Sequence, residues 1–250
     1  MHFKIIFIAF YLSFMATAIQ AQEIKTIETD DADVEVRVFP AEGNRLLLGF
    51  PIEEGKSLTE EKTARSLAED GVEVWMPDVL SALMLPNLKS SLKDIPAKLL
   101  IRIIKEAKKS GKDVYLIATG HDAEVVLRGA SEWERLNKSS LAGAVLMFPR
   151  LFKGVPEPGE IPEYVDSVGK TKLPIMLLEG GRTPARWGVK TLSHALQENG
   201  SPVVAKIIPD IRGKFFKRDD SNRSEEVVAS QMAGLIKVSL FYLNRNKVND

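Results

Sequence analysis

The stretch VYLIATGHDAEVVLRGA, Val114 to Ala130, reads as a buried strand, a sharp turn and an amphipathic helix. Val114–Ala118 is a continuous apolar run of strand length, the pattern of a strand covered on both faces. GHDAE then breaks the run, and a helical pattern follows over residues 122–137. The turn carries a carboxylate, Asp122, at its centre and a second, Glu124, two residues on.

The same alternation extends in both directions. VEVRVF (Val34–Phe39) alternates with period two and predicts a half-exposed strand, whereas RLLLGF (Arg45–Phe50) predicts a buried one. A helix is expected over Ser57–Asp70, stopped by Gly71, followed by the strand VEVWM (Val72–Met76). Leu92, Ile95, Leu99, Ile103 and Ala107 are spaced by three or four and predict a helix over Ser91–Ser110. Beyond the central stretch come the strands Ala142–Phe148, Pro174–Glu179 and Val203–Ile208. A helix over 184–198 separates the last two, and a long helix runs from Ser224. The Pro- and Gly-rich segment Arg150–Lys172 is the one long irregular connection. Repeated strand–helix alternation with buried-type strands predicts an α/β protein: a mainly parallel central sheet with helices on both faces, in a single domain over residues 22–250.

The first residues are set apart. MHFK, then IIFIAFYLSFM, then ATAIQAQ give a basic start, an eleven-residue apolar stretch and a small-residue region. That is the pattern of a secretory signal peptide over residues 1–21, with cleavage after Ala18 or Ala21. The expectation is a secreted or periplasmic protein without a membrane span in the mature chain. There is no cysteine, which excludes disulfides, thiolate metal sites and lipid attachment through an N-terminal Cys. Thirty-four basic residues balance thirty-four acidic ones, so no global field points to nucleic acid. The charge-dense run Lys214–Glu226 is mixed in sign and reads as a solvated loop.

The strand–GHDAE–helix unit and the order of elements around it resemble the α/β-hydrolase fold over nearly the whole mature chain. In that family the nucleophile sits on a Gly-x-Ser-x-Gly turn between strand and helix. Gly120 matches the first small position, and Glu124 stands where the second glycine belongs. The GHD turn is similar to that of the haloalkane dehalogenase and epoxide hydrolase branch. There an aspartate attacks the substrate and a His after the last strand activates the water that cleaves the ester. The resemblance implies Asp122 as nucleophile. The alternative reading is a carboxylate favoured at a helix N-terminus by unsatisfied N–H groups.

The remaining positions depart from the pattern. RGKFF places Arg212 at the base position, and a guanidinium cannot accept a proton. EGGRTPARWG places Thr183 at the acid position, and a second acid site holds Pro149 and Arg150. Of three histidines, His2 lies in the signal segment, His121 is expected beside the strand ends, and His194 on a helix surface or flank. An ion pair between Asp122 and Arg212 is expected to fill the former site.

Other motifs point elsewhere only weakly. GFPIEEGKS (Gly49–Ser57) has one residue too many for a phosphate-binding loop, and Glu53 and Glu54 would repel phosphate. As the oxyanion-hole loop it lacks the usual His and Gly. No metal motif or dinucleotide fingerprint is present, so no cofactor is expected. Trp75, Trp133 and Trp187 read as packing residues, with the rim of a cleft as the alternative for Trp187. The resulting expectation is a hydrolase-fold protein with a degenerate triad that binds a small molecule or a protein partner. The alternatives are an active hydrolase using Asp122 on an ester, halide or epoxide, and a structural subunit of an envelope assembly.

Overall fold

A computed structural model describes residues 22–50, 58–136, 139–154, 160, 162–213 and 215–246. Residues 1–21, expected as a signal peptide, and the Pro51–Ser57 part of the loop after the third strand lie outside these residues.

The strands are β1 (Glu23–Ile27), β2 (Val34–Phe39), β3 (Arg45–Gly49), β4 (Val72–Pro77), β5 (Asp113–Thr119), β6 (Gly143–Met147), β7 (Ile175–Gly180) and β8 (Val203–Ile208). They form one sheet in the order β1-β2-β4-β3-β5-β6-β7-β8. The pairs β1–β2 and β2–β4 are antiparallel, and every other pair is parallel. The helices are α1 (Leu58–Glu69), α2 (Val79–Ala82), α3 (Ala97–Lys108), α4 (Asp122–Leu136), α5 (Val189–Gln197), α6 (Arg223–Ser230) and α7 (Met232–Asn246).

Strands β3, β5, β6 and β7 are buried along nearly their whole length, as their unbroken apolar runs require. One face of the sheet packs on α2, α3, α4 and α5 through residues such as Leu99, Ile103, Val126 and Leu196. The other packs on α1, α6 and α7 through Leu67, Met232, Ile236, Leu240 and Leu243. The expected α/β architecture, a mainly parallel sheet covered on both sides, is therefore present.

Several local readings change, and the helix expected over 184–198 opens as a 3₁₀ segment, Pro184–Gly188, before α5. The strand β1 was not expected: EIKTI is short and charged, and it survives as an antiparallel edge partner of β2. The strand β2 is mostly buried rather than half exposed. The helix expected over Ser91–Ser110 is split at Pro96, into a 3₁₀ segment Lys89–Asp94 and α3. A proline drives its predecessor out of the helical region, and Ile95 is extended at φ −72°, ψ 118°. The final helix is also two helices, α6 and α7, bent by 66° around Gln231. No single helix among the described residues is long and apolar enough to cross a membrane.

Candidate functional site

The loops at the carboxyl ends of β5, β6, β7 and β8 meet at one end of the sheet, where parallel α/β sheets place ligands. After β5 the chain turns at Gly120, whose φ of +56° lies in the left-handed region that favours glycine. Asp122 opens α4 and is fully buried. A buried carboxylate there benefits from the positive end of the helix.

The loop after β6 is laced onto this turn. Gly120 N donates to Met147 O at 3.1 Å, and Arg150 N donates to Gly120 O at 2.8 Å. His121 Nδ1 lies 3.0 Å from Arg150 O. Because a carbonyl only accepts, this contact fixes the tautomer with the proton on Nδ1. His121 thus packs beside the strand ends, as expected.

The carboxyl end of β7 contributes a carboxylate that the sequence pattern did not single out. Glu179, within β7, is buried. Its Oε1 accepts from Gly180 N at 2.9 Å and from the Thr183 hydroxyl at 2.9 Å. Its Oε2 faces Arg150 Nη1 at 3.4 Å. The carboxylate thus lies four residues before Thr183, and Thr183 is its hydrogen-bond donor. The signal was the charged end of an otherwise apolar strand, MLLEGG, where a carboxylate stays buried only with partners.

Gly180 allows the loop after β8 to close over β7. A Cβ there would lie 2.6 Å from Ile211 O. This brings Arg212 and Gly213 against Thr183 and Arg150, since a Cβ on Gly213 would come within 3.1 Å of Arg150 Nη2. Arg150 is consequently the piece that joins turn, acid loop and base loop.

Arg212 does not pair with Asp122. Its Nε donates to Glu225 Oε1 at 2.7 Å and its Nη2 to Glu225 Oε2 at 2.6 Å. Its Nη1 meets Asp220 Oδ2 at 3.0 Å. Glu225 is fully buried and belongs to a capping box, in which Asn222 Oδ1 accepts from Glu225 N and Asn222 N donates to Glu225 Oε2. The cap had already committed this carboxylate to the α6 N-terminus, within reach of the last loop. A bidentate pair there is stronger than a contact across the cleft. The hydrogen bond from Arg212 is the largest influence on Glu225 and holds its pKa down to about 2. In return Glu225 and Asp220 hold the Arg212 proton more tightly than usual. The run Lys214–Glu226 is therefore only partly a solvated loop, since Phe215 and Glu225 are buried.

Beside the turn lies a cleft of about 100 Å³, on the face covered by α1 and α7. Gly49, Phe50, Ala118 and Thr119 at the ends of β3 and β5 border it, as do Thr63, Phe216 and Met232. Its walls are almost wholly apolar. Among the described residues no group of three or more His, Asp or Glu is placed to hold a metal ion. Trp75 and Trp133 are buried as expected, and His194 is exposed. Trp187 is instead 78 % exposed, because the 3₁₀ segment Pro184–Gly188 that carries it buries no side chain.

No family model and no curated protein matches the sequence. Solved structures do match. A dienelactone hydrolase from Anabaena variabilis shares 13% identity at a TM-score of 0.62, over 86% of this chain and 95% of that one. An esterase from the fungus Rhizomucor miehei shares 11% identity at 0.62, over 90% and 84%. Thermogutta terrifontis esterase 2, phosphoramylated by tabun, shares 12% identity at 0.58, over 88% and 95%. The chain has the α/β-hydrolase fold.

In that fold, the three loops that would carry nucleophile, acid and base come together here around Asp122, the Glu179–Thr183 pair and Arg212. What the loops present is one buried carboxylate at the turn, one carboxylate held by Arg150, and a guanidinium at the last loop. Such a set can bind and orient. Arg212 contributes no proton acceptor.

Proposed function

We propose that this is an exported α/β-hydrolase-fold protein that has lost the hydrolytic cycle and binds a small apolar ligand in the cleft beside Asp122. The observation that carries the reading is Arg212. Where the resemblance places a general base, a guanidinium is fixed by Glu225 and Asp220. Ester hydrolysis needs a group that takes a proton from water, and this one cannot. The apolar cleft favours a ligand over a purely structural role, and its volume suits a group of roughly four to six carbon atoms. Exported placement rests on the signal-like first 21 residues. Calorimetric titration with hexanol and benzene tests the ligand reading. Saturable binding that is lost in Thr63→Phe, which fills the cleft, is the expected result. Equal binding to the filled variant would refute it.

The second reading, an active hydrolase, draws on a different observation: Asp122 is fully buried at the turn that follows β5, the strand whose Ala118 and Thr119 border the apolar cleft. The solved neighbours include esterases and a dienelactone hydrolase. On this reading the Asp122 carboxylate attacks a carbon and becomes an ester, either displacing halide from a haloalkane or opening an epoxide to a tethered alkoxide that takes a proton from solvent. Intact-mass measurement after incubation with 1-bromobutane separates the two. A stable adduct on Asp122 means that the nucleophile works and water activation fails, and its absence leaves the binding reading standing.

A further inference from the structure

From Gly180 to Gln197 the chain carries no Asp or Glu, while Arg182, Arg186, Lys190 and His194 recur at every fourth residue. In a chain whose charges balance overall, this is a local excess of cations. The segment forms the loop after β7, the 3₁₀ segment Pro184–Gly188 and α5. Lys190 and His194 are four apart on α5 and share a face, about 6 Å apart along its axis, while Arg182 sits in the loop and Arg186 in the 3₁₀ segment that lead into it. Leu192 and Leu196 are buried beneath α5, and the four basic residues are all exposed.

Trp187 lies in the middle of this segment, in the 3₁₀ turn. It is 78 % exposed, with the Arg186 guanidinium 4.4 Å from its ring centroid and tethered to Gly181 O. Among the described residues, Arg182, Arg186 and Lys190 form no ion pair. The nearby carboxylates do not neutralise them: Glu179 is buried against Arg150, while Asp210 and Glu198 lie on the flanking loop and beyond the end of α5.

We propose that this face docks on an anionic phospholipid surface. An exposed cluster of cations with a single exposed indole has the chemistry that suits a bilayer interface. Cations there meet anionic headgroups, and an amphipathic ring settles at the headgroup level. A folded acidic partner would have to hold its carboxylates in register with these cations, whereas a fluid headgroup layer adapts to them and also takes up the exposed indole. Each cation brought to such a surface raises partitioning by roughly fivefold. The face lies outside the cleft and the Asp122 turn, so it is independent of the ligand reading.

The test uses the full chain and its own tryptophans. Trp75 and Trp133 are 4 % and 3 % exposed, so a change in emission on binding reports Trp187. Vesicles of phosphatidylglycerol and phosphatidylcholine (1:1) should co-sediment the protein and shift its emission to the blue. Phosphatidylcholine alone should do neither, and high salt should release the protein. Arg182→Glu with Lys190→Glu should weaken the binding at least about 30-fold with an unchanged circular dichroism spectrum. Trp187→Phe should abolish the emission shift. Failure to bind anionic vesicles, equal binding to the zwitterionic ones, or indifference to the charge reversal would overturn the proposal. Equal or stronger binding to poly-glutamate would assign the face to an acidic protein instead.

Discussion

Three buried residues carry the chemistry at the smallest scale. Tyr115 in β5 is fully buried, and its hydroxyl has no hydrogen-bond partner. Burial pushes its pKa up, since an ionised phenolate would be stranded there. An unpaired buried hydroxyl costs about 1–3 kcal/mol, so Tyr115→Phe is expected to stabilise the protein by about 1 kcal/mol in urea unfolding. Glu225 makes the opposite contribution. Its folded pKa of about 2 lies below the ordinary 4.5. The stabilisation is therefore complete above pH about 4.5 and is lost as the pH falls from there through about 2. Acid titration by circular dichroism should show this loss, and Glu225→Gln should flatten that part of the curve while lowering stability at neutral pH. Glu179 shows the limit of reading residues from a motif. Alignment pointed to Thr183, four residues on, because a motif fixes spacing along the chain. Which side chain faces which is decided by the close approach at Gly180 and by Arg150 from another loop. The Asp122–Arg212 pairing failed for the same reason, since Glu225 is nearer in space and already positioned by its cap.

Elements were legible in proportion to their apolar pattern. The parallel strands and α1, α3, α4 and α5 announce themselves through long buried runs or a stripe at helical spacing. The elements missed were those set by a local backbone constraint or by pairing with a neighbour. Pro96 divides an apolar stripe that continues on both sides of it, and β1 depends on β2 for its hydrogen bonds. Helix α7 shows what the pattern does specify. Leu240 is fully buried against the sheet, while Val238 on the same helix is 53 % exposed. Leu240→Ala should cost about 2–5 kcal/mol through lost burial and the cavity left behind. Val238→Ala should stay within about 0.5 kcal/mol. Equal effects in denaturant unfolding would mean that α7 does not pack as described.

For the whole molecule, the sheet order and the loops at its carboxyl end create an α/β-hydrolase-fold scaffold. Arg150 and Glu179 tie the loops together, Arg212 is drawn off to α6, and the cleft beside the turn stays apolar. The GHD turn identified this scaffold from the sequence because a strand, a tight turn and a helix are all encoded locally. The proposed loss of the hydrolytic cycle rests on contacts between loops far apart in the chain, of which the sequence displays only the arginine at the position where the resemblance places a base. The most direct test is steady-state turnover of a panel of short-chain p-nitrophenyl esters, thioesters and epoxides by the full chain, measured beside Asp122→Ala. No turnover above the Asp122→Ala level is expected for any substrate, and turnover that disappears with Asp122 would contradict the proposed loss of hydrolysis.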